Sequence, residues 1–153
     1  MVRSRSLRWI ASVAVVVLLL PGCGDTDDST VPTGVLASVE GFNEAGSTYD
    51  TESMRTYLTD DFTWQSTGPV VDVDEYLAYV DANWERAGFH YEATGEPVIH
   101  LDGETYVVEE PGLATATFEE LVGTSVYRVV ELGDQWLIQE YRWIDAPTSE
   151  STG

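Results

Sequence analysis

The sequence has no lysine, and its seven basic residues, all arginine, face 27 acidic ones. Nucleic-acid affinity rests on Lys and Arg neutralising phosphates, so nucleic acid is excluded as a partner, and anionic lipid headgroups are repelled for the same reason. Cysteine is almost as scarce. Cys23 stands alone, so no intramolecular bridge forms and stability must come from packing. No apolar run is long enough to cross a membrane: Trp9 to Leu20 falls short of the roughly 20 residues a spanning helix needs. Also missing are G-x-S-x-G, G-x-G-x-x-G, Walker A and H-E-x-x-H patterns, so serine-hydrolase elbows, phosphate loops and zincin chemistry have no support and no cofactor is expected.

What is present begins with an export signal. Arg3, Arg5 and Arg8 form a basic leader, Trp9 to Leu20 an apolar stretch, and Pro21-Gly22 the approach to a cleavage point. Leu20-Pro21-Gly22-Cys23 resembles the lipobox of bacterial lipoproteins. That likeness implies a lipid on Cys23, a mature chain starting there, and residence on the extracytoplasmic face of the cell membrane. Pro21 departs from the usual small or aliphatic residue, and ordinary cleavage that secretes the chain with a free thiol is the alternative. Losing residues 1–22 removes three arginines and no acid, so four arginines then face 27 acidic residues, a net charge of −23. Such acidity fits a solvated surface kept soluble by like charge, or a cationic partner.

Residues 23–34 (CGDTDDSTVPTG) lack apolar periodicity and read as a flexible tether, and residues 147–153 as a disordered polar tail. Residues 35–146 are enough for one domain with a real core. Val35, Val39 and Phe42 fall at helical spacing; Asp50 is placed to cap a short helix carrying Met54, Tyr57 and Leu58. A strand is expected at 62–66. Asp72 or Asp74 then caps a helix with Val73, Leu77, Val80 and Trp84 on one side, closed by Gly88. Five strands follow near 89–101, 104–109, 113–121, 124–132 and 136–144, divided by Asp102-Gly103, Pro111-Gly112, Gly123 and Gly133-Asp134, with a bend at Pro97. The class is α+β: a six-stranded, mostly antiparallel sheet covered on one face by N-terminal helices.

Phe42-Asn43-Glu44-Ala45, Tyr49-Asp50, Met54, Leu58 and Thr59-Asp60-Asp61-Phe62-Thr63-Trp64, with Val126 to Val130 and Gln135-Trp136-Leu137-Ile138 at the far end, are similar to the opening and closing signatures of nuclear transport factor 2-like (NTF2-like), or SnoaL-like, proteins. The resemblance implies a cone in which a curved sheet wraps helices and often keeps a pocket at its wide end. It also implies that Trp136 and Ile138 point inward. The family's ketosteroid isomerases use a carboxylate base in an apolar cavity, but the stretch beyond the first strand, Gln65-Ser66-Thr67-Gly68, offers neither carboxylate nor histidine. Dehydratase or epoxide-hydrolase chemistry stays open.

If Gly133-Asp134 is a hairpin tip, positions summing to 267 face each other: Tyr127 with Glu140, Val129 with Ile138, Glu131 with Trp136. Strict alternation then sends Glu140 and Arg142 inward with Tyr127. Those three together with Trp136 and Ile138, and with Trp64 as a wall, are candidate linings of a ligand pocket; a structural ion pair is the plainer reading of Glu140 and Arg142. His90 and His100 are weaker candidates for a general base. The acidic clusters 25–28, 60–61 and 72–75 fit no calcium loop; helix capping accounts for Asp72 and Asp74 and the tether for the first cluster, and no metal is expected. Three functions follow: a module binding a small hydrophobic ligand, an interaction or homodimer module using an outer face of Val126, Val130, Leu137, Tyr141 and Trp143, or an enzyme.

Overall fold

The computed structural model describes residues 30–147 apart from residue 118; the signal, Cys23, most of the tether and the end of the tail lie outside the described residues. Helix α1 (Thr33–Ser47) buries Val35, Val39 and Phe42 at the expected spacing and takes in Thr33 and Gly34, which composition assigns to the tether. Asp50 caps α2 (Thr51–Arg55), accepting from the Ser53 amide at 3.0 Å. Asp72 does the same for α3 (Val73–Ala87), accepting from the Glu75 amide at 3.0 Å, and Gly88 closes it in the left-handed conformation at φ 59°.

Strands β1 (Leu58–Gln65), β2 (Val71–Asp72), β3 (His90–Ala93), β4 (Val98–Asp102), β5 (Thr105–Ala116), β6 (Glu119–Leu132) and β7 (Gln135–Asp145) form one seven-stranded sheet. Its order is β2-β1-β7-β6-β5-β3, with β4 also on β5, and every pairing is antiparallel except β1 with β7. The strand expected over 89–101 is split around Pro97 into β3 and β4, which share β5 as neighbour. The turn expected at Pro111-Gly112 does not occur, because β5 runs straight through. Thr94 donates to the Pro111 carbonyl at 2.8 Å. In an antiparallel strand a residue's N–H and C=O point the same way, so the N–H that Pro111 lacks faces the gap between β3 and β4 and no ladder bond is lost. Gly123 also lies inside a strand, directly opposite Gly112.

The helices lie against one face of the sheet. There Phe42 meets Tyr127 edge to face at 6.3 Å, and the fully buried Tyr76 sits 5.4 Å from both Phe62 and Trp64. Val108, Tyr127, Val129 and Ile138 complete the core from the sheet side.

Near the hairpin tip the register is as expected: Glu131 opposes Trp136 and Val129 opposes Ile138. Beyond it, Arg128 opposes Glu140 and Tyr127 opposes Tyr141. One extra residue, Gln139, has entered β7 as a β-bulge, and one inserted residue sends every later side chain to the other face. Tyr141 and Trp143 therefore turn inward. Glu140 and Arg142, expected inside, turn outward, where Arg142 Nε lies 2.6 Å from Glu140 Oε1. That Nε–H is not aligned on an acceptor, so the contact is an ion pair rather than a directed hydrogen bond. Gln139 is itself held, donating to Asp61 Oδ2 at 2.9 Å. Deleting Gln139 should restore strict alternation and place two charges in the core; we expect a loss of more than about 4 kcal/mol, read by urea unfolding and loss of near-UV circular dichroism.

Candidate functional site

Inward positions on β5 and β6 change size along the sheet. Towards the hairpin tip they are Val108, Tyr127 and Val129, all buried in the core. Towards the other end they are Gly112, Ala114 and Ala116 on β5, with Gly123 and Leu121 opposite. The glycines are there for close approach. A Cβ on Gly112 would collide with the Tyr91 ring, and one on Gly123 would meet the Ile144 carbonyl and lie 2.6 Å from the Trp143 ring. Two aromatic side chains thus pack against bare backbone, and they meet edge to face with centroids 6.4 Å apart.

The space left over is a hollow of about 420 Å³. Trp64 comes from β1, Tyr79 and Trp84 from α3, Phe89 from the turn after it, and Tyr141 and Trp143 from β7; Ala114, Ala116 and Leu121 form the sheet side. Trp64 stacks on Tyr79 at 5.7 Å and Trp84 on Phe89 at 4.1 Å. Ser66, Thr67 and Asn83 supply the polar groups, and no carboxylate, imidazole or guanidinium is among the lining side chains.

Below this hollow lies a polar network. Tyr141 stacks flat on Tyr127 at 5.0 Å, and the Ser125 and Tyr141 hydroxyls are 3.4 Å apart. Tyr127 donates to Asn43 Oδ1 at 3.0 Å, while Asn43 and Tyr91 both donate to Glu110 Oε2, at 3.2 and 2.7 Å. Burial pushes the Tyr127 hydroxyl well above the ordinary tyrosine range, with Tyr141 beside it adding to the effect. Burial also raises Tyr141, against the opposing contact with Ser125, and raises Tyr91 and Tyr76.

Of the residues singled out from the sequence, Trp64 lines the hollow. Tyr127 faces inward but lies under the floor. Ile138 is fully buried in the core, and Trp136 packs at the opposite end of the sheet against Tyr106 and Gly34. Glu140 and Arg142 are on the outer face because of the bulge. His90 and His100 are exposed on separate strands. Their partners Thr115 and Val107 stand eight positions apart on β5, about 27 Å of strand, so they form no dyad. Among the described residues no three His, Cys, Asp or Glu side chains gather as a metal site. Tyr79, Phe89, Tyr141 and Trp143 were not legible as lining. The only trace of the last two was an odd step between the aromatic residues of β7, from Trp136 to Tyr141 and Trp143, and Leu137 at an even step from Tyr141 masks it.

No family model and no curated protein matches the chain by sequence. Solved structures do match. An NTF2-like protein from Cytophaga hutchinsonii superposes with a TM-score of 0.62 at 14% identity, over 73% of this chain and 95% of that one. Another, of unknown function, from Shewanella oneidensis gives 0.57 at 17% identity, over 73% and 97%. The chain has the NTF2-like fold. A protein of unknown function from Mycobacterium tuberculosis (TM-score 0.63, 19% identity, 73% of this chain and 69% of that one) is similar in the same way. At these identities the likeness of NTF2-like proteins speaks for fold alone, and the hollow's chemistry has to be read from its own residues.

The buried tyrosines give a pH prediction. Their folded-state pKa values are raised, so their contribution to stability is complete below the ordinary value of about 10 and is lost as pH climbs above it. In an alkaline titration followed at 295 nm, Tyr76 and Tyr127 should ionise in one cooperative step coincident with loss of near-UV dichroism. Ionisation of these two near pH 10 with the fold intact would contradict their burial.

Proposed function

We propose that this domain binds a small apolar or amphipathic molecule in the aromatic hollow, without acid–base catalysis. The observation that carries this reading is the lining itself: six aromatic side chains around about 420 Å³, within the range of roughly 300–1,000 Å³ typical of small-molecule sites, and no titrating carboxylate or imidazole to serve as a base. An interaction role through the outer face has weaker support, since Tyr141 and Trp143, its two largest expected members, lie inside.

Ala116 lies on the sheet side of the hollow, so Ala116→Phe fills it. With the neutral dye N-phenyl-1-naphthylamine as probe, the variant should bind at least about tenfold more weakly while its Tm stays within about 3 °C of the parent. Equal dye affinity in the two proteins rejects the hollow as the binding site.

We further infer that the domain is displayed outside the cytoplasm, held to the membrane by a lipid on Cys23. The leader arginines, the apolar stretch and the lipobox-like Leu20-Pro21-Gly22-Cys23 support this. Expressed in a bacterial host, the parent should partition into the Triton X-114 detergent phase and Cys23→Ser into the aqueous phase. Aqueous partitioning of both would mean that Pro21 blocks lipidation and the chain is secreted.

A further inference from the structure

Glu110 lies on the inner face of β5 between Val108 and Gly112, opposite Ser125. Its two hydrogen-bond donors, Tyr91 and Asn43, are neutral. No positive charge reaches it: the ion pairs among the described residues join Arg55 to Asp60, Arg128 to Asp102 and Arg142 to Glu140. Arg86, the remaining arginine there, is exposed and donates to Asn83 Oδ1 at the border of the hollow, without itself being among the lining residues. A partly buried carboxylate thus sits within the aromatic interior without a counter-charge, an arrangement that costs stability.

Tyr141 connects this carboxylate to the hollow. Its ring lines the hollow and also a small adjoining void shared with Asn43 and Tyr91, the two residues bonded to Glu110. Burial chiefly, with Glu110 acting in the same sense, disfavours ionisation of the Tyr141 hydroxyl. Above, Trp64, Tyr79, Trp84, Phe89 and Trp143 surround the space with rings whose faces carry negative electrostatic potential. The whole chain carries a net charge of −20. Ring faces, carboxylate and net charge all have the same sign, and nothing positive lines the wall.

We propose that the hollow is selective for an organic cation, an ammonium group carried on an apolar or aromatic body, held by cation–π contact with the aromatic wall and by the unpaired charge of Glu110 beneath the floor. This rests on the binding reading above and adds to it the charge of the ligand.

Three probes sharing one ring system test it: (1-naphthylmethyl)trimethylammonium, neutral 1-naphthylmethanol and anionic 1-naphthaleneacetate, each titrated calorimetrically into the purified protein. Salt is held at about 1 M, where the Debye length is roughly 3 Å and the distant surface charge is screened. The cation should bind at least about tenfold tighter than the alcohol, and the anion weakest. Glu110→Gln should bring the cation-to-alcohol ratio to within about threefold of one. An alcohol that binds as well as the cation overturns the proposal and leaves the binding reading standing; failure of all three probes overturns both. A ratio untouched by Glu110→Gln overturns the role of Glu110, and if that variant does not fold, the parent's ratio alone decides whether the site selects cations.

Discussion

A single inserted residue in the last strand, Gln139, sets which side chains this domain keeps inside. Side chains alternate along a strand with a period of two, so the bulge between Ile138 and Glu140 exchanges the faces of everything after it. Without it the inner face would receive Glu140 and Arg142, and desolvating two charges costs several kcal/mol per ion even after relaxation. With it, that face receives Tyr141 stacked on Tyr127 and Trp143 laid over Gly123. The neighbouring strand accommodates the irregularity: β1 pairs with β7 at Leu58 and again from Thr63, with a register shift between, and Asp61 from that detour accepts the bulged Gln139 side chain.

The hollow follows from how the two ends of the inner face are furnished. Near the hairpin tip, Val108, Val129 and Ile138 fill the space under α1, and the core there is closed. At the other end Gly112, Ala114, Ala116 and Gly123 give up volume on the sheet, and α3 supplies Tyr79 and Trp84 from the opposite side. Small residues on strands facing large rings on a helix leave a space bounded by aromatic surface. Its electrostatics come from the same economy of basic residues seen in the sequence. With no lysine anywhere and no arginine among the lining residues, the negative ring faces and Glu110 have no positive partner in the wall.

Much of the scaffold could be read from residue patterns. Val35, Val39 and Phe42 mark the buried side of α1, Asp50 and Asp72 cap the two later helices, Gly88 ends α3, and Gly133 turns the last hairpin with φ 68°. These signals are local, each decided within a turn or two of chain. Local patterns mislead where the deciding contact is distant. Pro111-Gly112 and Gly123 carry turn chemistry, yet both lie in strands, because Tyr91 and Trp143 need bare backbone beneath them and because the gap between β3 and β4 tolerates a missing N–H. The candidate site suffered most from the bulge. Trp64 lines the hollow, but the inward face that alternation predicts for Glu140 and Arg142 goes to Tyr141 and Trp143. Glu110, paired to Asn43 and Tyr91 across 67 and 19 residues of chain, carried no mark in the sequence at all.

The claim beneath all of this is the orientation of residues 140 to 143, and nuclear Overhauser effects between assigned side chains report it directly. Ring protons of Tyr141 should show cross-peaks to Tyr127 and Phe42, whose centroids lie 5.0 and 6.0 Å away, while Arg142 side-chain protons should contact Glu140 and its cross-strand neighbour Val126 but not Phe42. Cross-peaks from Glu140 or Arg142 to Phe42, with Tyr141 free of contacts to Tyr127, would show an unbroken strand, and the hollow described here would not exist.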